Sequence, residues 1–158
     1  MIQPPSILLM GSPGSGKTYS ISTLIEAGLD VFVVSTEPHG LESLLDVVAA
    51  KKLPLSKLHW RYHGPARPGF AGLLQQGKVI SYGDQKTLGD QRAGDRSGAS
   101  WIEMLKTFCD FIDEKDGKSY GDVTKFDSSR ALVVDSLSGI SSMAMDVTIG
   151  DKVTANPG

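Results

Sequence analysis

The octapeptide Gly11-Ser12-Pro13-Gly14-Ser15-Gly16-Lys17-Thr18 constrains this chain more than any other stretch. It fits the pattern GxxxxGK[ST] and stands between the apolar run Ser6-Ile-Leu-Leu-Met10 and a segment where Ile21, Leu24 and Ile25 recur at helical spacing up to Gly28. Strand, loop and helix in that order are the setting in which such a loop can wrap its backbone N–H groups around a phosphate. The glycines permit the curl, and the helix N-terminus adds partial positive charge. Lys17 is then placed to reach the β- and γ-phosphates of ATP, and the Thr18 hydroxyl to ligate Mg2+. Candidate nucleotide contacts run from Gly11 to Tyr19.

The rest of the chain extends the same alternation. Val31-Phe-Val-Val34 is a short β-branched and aromatic run that predicts a strand buried on both faces. Leu41, Leu44, Leu45 and Val48 mark one face of a helix that Pro54 cannot continue. The resulting βαβα order predicts a mostly parallel sheet flanked by helices, an α/β fold with right-handed crossovers. Leu58, Trp60 and Tyr62 alternate with His59, Arg61 and His63, which predicts a half-exposed strand. From Gly64 to Gly98 there are eight glycines and little periodicity, so a flexible Gly-rich loop is expected over 64–98. Ser100-Trp-Ile-Glu103 is a capping box, and Trp101, Leu105, Phe108 and Ile112 share a helical stripe. Asp113 to Arg130 is polar and hairpin-like, Ala131-Leu-Val-Val134 is another buried-strand run, and Gly139 to Met145 begins a further helix.

Two carboxylates complete the candidate site. Asp135 ends the apolar run Leu132-Val-Val-Asp135, where a carboxylate can join a Mg2+ shell, usually through water. Glu37 lies two positions beyond the expected end of the second strand. Parallel strands open their C-termini on one edge, so Glu37, the Gly11–Thr18 loop and Asp135 are expected in one crevice, with Glu37 orienting water for attack on the γ-phosphate. A helix-capping Asp and a surface Glu at a helix start are the structural alternatives.

These pieces in this order, GSPGSGKT, STEP and LVVDS, resemble the RecA-like P-loop ATPases. Ser136 stands where AAA enzymes usually carry a catalytic Glu, and a GTPase-style NKxD is absent. The stretches His59-Trp-Arg-Tyr62 and Tyr120-Gly-Asp-Val123 through Val134-Asp-Ser-Leu-Ser-Gly139 look like bacteriophage nucleotide-binding proteins grouped with AAA-type ATPases. The resemblance covers most of the chain and implies one RecA-like domain over 1–158. It further implies Walker A and Walker B roles for the loop and Asp135, ATP and Mg2+ as cofactors, a homo-oligomer, and a link to DNA recombination or replication. RecA-like sheets insert a further strand that follows Walker B in sequence. No run after Met145 is apolar enough to supply it, so an N-terminal fragment with an incomplete sheet is the expectation, binding nucleotide weakly and turning it over slowly.

Composition sets limits on the rest. Sixteen Lys plus Arg against 18 Asp plus Glu give a net charge of −2, which excludes coating of nucleic acid by bulk electrostatics. Any contact with single-stranded DNA must be local, and the candidates are Lys57 to Arg67 with Trp60 and Tyr62, and the loop holding Lys86, Arg92 and Arg96. Both also read as solvated or edge-strand segments. The lone Cys109 forms no internal disulfide, and the opening residues lack a secretion-signal pattern, so a reducing, cytoplasmic setting is expected, which the resemblance narrows to a bacterial or phage-infected host. Apolar runs of about four residues fall far short of the roughly 18 a spanning helix needs. A nucleotide-dependent binding module without turnover and a small-molecule phosphotransferase are the rival readings.

Overall fold

The computed structural model describes residues 5–37, 39–64 and 99–154. Its elements are α1 (Lys17–Glu26), β1 (Asp30–Ser35), α2 (Gly40–Ala50), β2 (Leu58–Tyr62), α3 (Ala99–Cys109), β3 (Arg130–Asp135) and α4 (Leu137–Thr154). The three strands form one sheet in the order β2-β1-β3, and both pairings are parallel. The fold is therefore α/β, with β1 central and helices on both faces. The loop expected over 64–98 lies outside the described residues except for Gly64.

The composition of β1 explains the layering. Val31 and Val33 point to one face, where they pack with Ile21 and Ile25 of α1, Leu44 and Val48 of α2, and Leu58. Phe32 and Val34 point to the other, against Met104 of α3, Phe111 and Met143 of α4. Alternating side chains thus serve two cores from one strand. All four are fully or almost fully buried, and each contributes roughly 1.5–3 kcal/mol of hydrophobic stabilisation.

Three expectations need correction. Ser6 to Met10 forms no strand, and Ile7, Leu8, Leu9 and Met10 are 54–85% exposed. A strand exists only through a neighbour's ladder, and none of the three strands pairs with this run. The stripe through Ile112 also breaks, because α3 stops at Cys109 and Ile112 instead bridges Ser119 in an antiparallel turn. Met104 is the fully buried residue of α3, whereas Leu105 is exposed. Finally, the His59 side of β2 is not solvated. His59 and His63 are buried, and the His59 ring stacks on Phe32 with centroids 4.6 Å apart.

The outer edge of β2 is covered by the turn that follows α3. Glu114 N–H donates to Trp60 O (2.9 Å), the Glu114 carboxylate accepts from Tyr62 N–H (3.0 Å), and Lys115 Nζ donates to Leu58 O (2.9 Å). Asp113 is the hub of this cover. Its carboxylate accepts from His59 Nδ1 (2.8 Å), Lys115 N–H (3.0 Å) and Trp60 N–H (3.4 Å). Burial pushes the Asp113 carboxyl up, but the Lys115 N–H, the His59 ring, the Trp60 N–H and the Lys115 charge together hold it below its ordinary value. On the other side, β3 has no strand partner beyond β1 among the described residues. No helix among them is long and apolar enough to cross a membrane.

Candidate functional site

The Gly11–Thr18 loop runs directly into α1. Gly14 (φ 79°) and Gly16 (φ 85°) adopt left-handed backbone that side-chain-bearing residues rarely tolerate. A Cβ at Gly11 would press on Ser15 Oγ at 2.5 Å, so the loop closes tightly on itself. Lys17 Nζ folds back into this ring, donating to Gly11 O (2.8 Å), Ser12 O (2.9 Å) and, at longer range, Ser15 Oγ (3.5 Å). Ser12, Pro13 and Ser15 are exposed.

Thr18, in the first turn of α1, reaches across to the end of β3. Its hydroxyl donates to Asp135 Oδ2 at 3.0 Å, joining residues 117 positions apart. Two hard oxygen donors side by side suit a cation such as Mg2+, which is ordinarily held by one or two protein oxygens together with substrate phosphates and water. One further polar atom stands at this edge. Ser136 Oγ is buried and, among the described residues, is the side-chain polar atom left without a hydrogen-bond partner.

The parallel register brings the strand ends together as expected, with Ser35 opposite both Asp135 and Tyr62. Glu37 follows that edge and is exposed. Its carbonyl accepts from Ser35 Oγ (3.2 Å) and Gly40 N–H (3.3 Å). Gly40, opening α2, lies between the two carboxylate residues. A Cβ there would sit 3.6 Å from Asp135 Oδ2 and 3.6 Å from Glu37 Cβ. Thr18, Asp135 and Glu37 therefore stand at the same end of the sheet.

Other candidates are engaged elsewhere. The Tyr19 ring carries Lys51 Nζ 4.1 Å from its centroid, and the same amine reaches Glu26 (2.7 Å) and Ser22 Oγ (2.9 Å), so Tyr19 braces α1 against α2. The bonds to Glu26 and Tyr19 raise the Lys51 pKa. His39, near Glu37, pairs with Glu42 (3.1 Å) on the surface of α2. Within the basic and aromatic strip, Lys57 donates to Gly28 O (2.5 Å) and Trp60 packs against the α1–α2 core, so these residues serve the fold. The loop residues Lys86, Arg92 and Arg96 lie outside the described residues.

Sequence reasoning gave no site role to Thr36, Ser136 or Gly139. Thr36 is buried, its hydroxyl accepts from Ser136 N–H (2.9 Å) and donates to Ser136 O (3.2 Å), and Gly139 packs on it so closely that a Cβ would collide. The sequence signal for Thr36 and Ser136 is adjacency, since Thr36 precedes Glu37 and Ser136 follows Asp135, and Gly139 carries none. Comparison with protein-family models, with curated proteins and with solved structures gives no match for this chain.

Proposed function

We propose that this chain is the nucleotide-binding domain of a RecA-like P-loop ATPase that binds ATP with Mg2+ and hydrolyses it. The observation that carries the reading is the Thr18–Asp135 hydrogen bond, 3.0 Å long, which sets the hydroxyl of a GxxxxGK[ST] loop against the carboxylate ending an apolar parallel strand. In this reading the loop N–H groups and the positive end of α1 hold the phosphates. Lys17 exchanges its loop carbonyls for phosphate oxygens, Thr18 and Asp135 hold the metal shell, and Glu37 orients the attacking water. Mg2+ bound there supplies charge neutralisation on the phosphate oxygens. A neighbouring copy in a homo-oligomer would supply an arginine to the same charge, and single-stranded DNA is the polymer whose contacts turnover would switch. The resemblance to phage recombination ATPases motivates these last two proposals.

The test begins with affinity. Titration calorimetry of ADP and ATP against the wild-type chain is expected to show Mg2+-dependent binding, and Lys17→Ala to weaken it by about a hundredfold, near 2.7 kcal/mol. Glu37→Gln should bind as the wild type does and lose single-turnover hydrolysis by about two orders of magnitude or more. Lys17→Ala binding at wild-type strength would sink the reading. Full turnover in Glu37→Gln would remove Glu37 from its role while leaving nucleotide binding intact. Turnover with and without single-stranded DNA tests the polymer.

A further inference from the structure

The ladder between β1 and β3 ends at the pair Ser35 and Asp135. One position beyond it, Thr36 N–H donates to Asp135 O at 2.7 Å. The Thr36 hydroxyl then holds the next residue by both its backbone groups, accepting from Ser136 N–H (2.9 Å) and donating to Ser136 O (3.2 Å). The Ser136 hydroxyl gives no help, since it has no partner among the described residues. The side-chain tether across these strand ends therefore comes from Thr36. Gly139 sits against it, and the lack of a Cβ at 139 leaves the hydroxyl its room.

Each bridged residue adjoins one carboxylate of the proposed site, Glu37 after Thr36 and Asp135 before Ser136. We infer that Thr36 is a positioning residue, which fixes Asp135 for the metal and ties the peptide carrying Glu37 to the same point. The inference rests on the Mg2+–nucleotide reading of the site. Backbone groups past the end of a ladder need partners when buried, and strand ends without them separate. A valine at 36 keeps the shape of threonine but leaves Ser136 N–H unpaired and Ser136 O with the Ile140 N–H alone (3.4 Å), and it removes the tether. A serine keeps the hydroxyl.

The experiment measures ADP affinity of the full chain with Mg2+ and with chelator, and takes the ratio as the metal-dependent gain. Thr36→Val is expected to lower that gain by about tenfold, the usual size for a partner that orients a metal ligand, while metal-free affinity stays within about twofold. Thr36→Ser should restore the gain, which a role in packing alone would not do. Gly139→Ala, which drives a methyl group into the Thr36 hydroxyl, should reproduce the loss and serves where Thr36→Val fails to fold. An undiminished gain in a folded Thr36→Val or Gly139→Ala protein overturns the inference, as does a Thr36→Ser protein no better than the valine variant. A wild-type chain with no metal-dependent gain overturns it too, and removes the metal roles of Thr18 and Asp135 along with it. A wild-type gain that Thr36→Val leaves intact removes Thr36 alone.

Discussion

The two edges of the sheet are finished differently. Along β2, Asp113, Glu114 and Lys115 occupy the backbone groups that would face solvent or another chain. Along β3, no such cover is present among the described residues. Leu132 is 40% exposed, and the apolar run Ile7 to Met10 stands outside the sheet. Uncovered edges invite further pairing, and charged side chains on an edge prevent it. The contrast teaches that the polar cover of one edge and the residues of the proposed nucleotide site occupy opposite flanks. Buried pairs that stabilise the fold gather at β2, whereas the Gly11–Thr18 loop, Thr18 and Asp135 lie toward β3.

The largest way to break this contrast is to remove the hub of the covered edge. Asp113→Ala strands the buried His59 ring and leaves the partly buried Trp60 N–H and Lys115 N–H without their acceptor, and should lower unfolding stability in urea by about 3–5 kcal/mol. A loss under about 1 kcal/mol would mean that the cover contributes little and the apolar core alone holds β2.

A smaller effect is expected from pH. His63 donates or accepts at Thr107 Oγ1 (2.8 Å) on α3, and burial, with the nearby Arg61 charge, depresses its pKa below 6.5. Between 6.5 and the lower folded value the unfolded chain binds more protons, so stability rises with pH in that window. This contribution is complete above 6.5 and is lost as pH falls through the folded value. Urea midpoints across that range should slope downward toward acid, and His63→Gln should flatten the slope. A wild-type midpoint that stays level would show that His63 titrates alike in both states.

The smallest effect belongs to the other flank. Ile7→Ser and Leu8→Ser should each change stability by no more than about 0.5 kcal/mol, because both side chains already face solvent. A loss of about 2 kcal/mol or more would place this run against a packed surface in solution and erase the difference between the edges.

Much of the architecture was legible in sequence because short apolar runs are bounded by strong punctuation. Gly28 and Pro54 delimit α1 and α2, and Val31 to Val34 carries the composition of a doubly covered strand, whereas Ala131 to Val134, with similar composition, forms a strand that is only partly buried, Leu132 being exposed. The run Ile7 to Met10 has similar composition and forms no strand, since composition describes what a strand prefers but not whether a ladder partner is present. Ile112 kept the helical period by coincidence, beyond the end of α3. The burial of His59 and His63 depends on partners 54 and 44 positions away, a separation that carries no local signal. In the candidate site, Lys17, Thr18, Glu37 and Asp135 were visible because a motif or strand end marked them. Thr36 was not, because its work is done through backbone groups of a residue 100 positions later.

Lys17 has three ammonium protons, and the loop supplies three acceptors for them in Gly11 O, Ser12 O and Ser15 Oγ. The cation is thus a stand-in tenant of the ring it serves, and the carbonyls stay turned inward around it. Under the proposed function, arrival of a phosphate is a swap of partners, and its strength measures only the difference between the bonds Lys17 makes to the loop and those it makes to the anion. Replacing Lys17 by a neutral residue takes away the pin that draws the loop carbonyls together as well as the contact proposed for phosphate, so the variant's loss reports both at once.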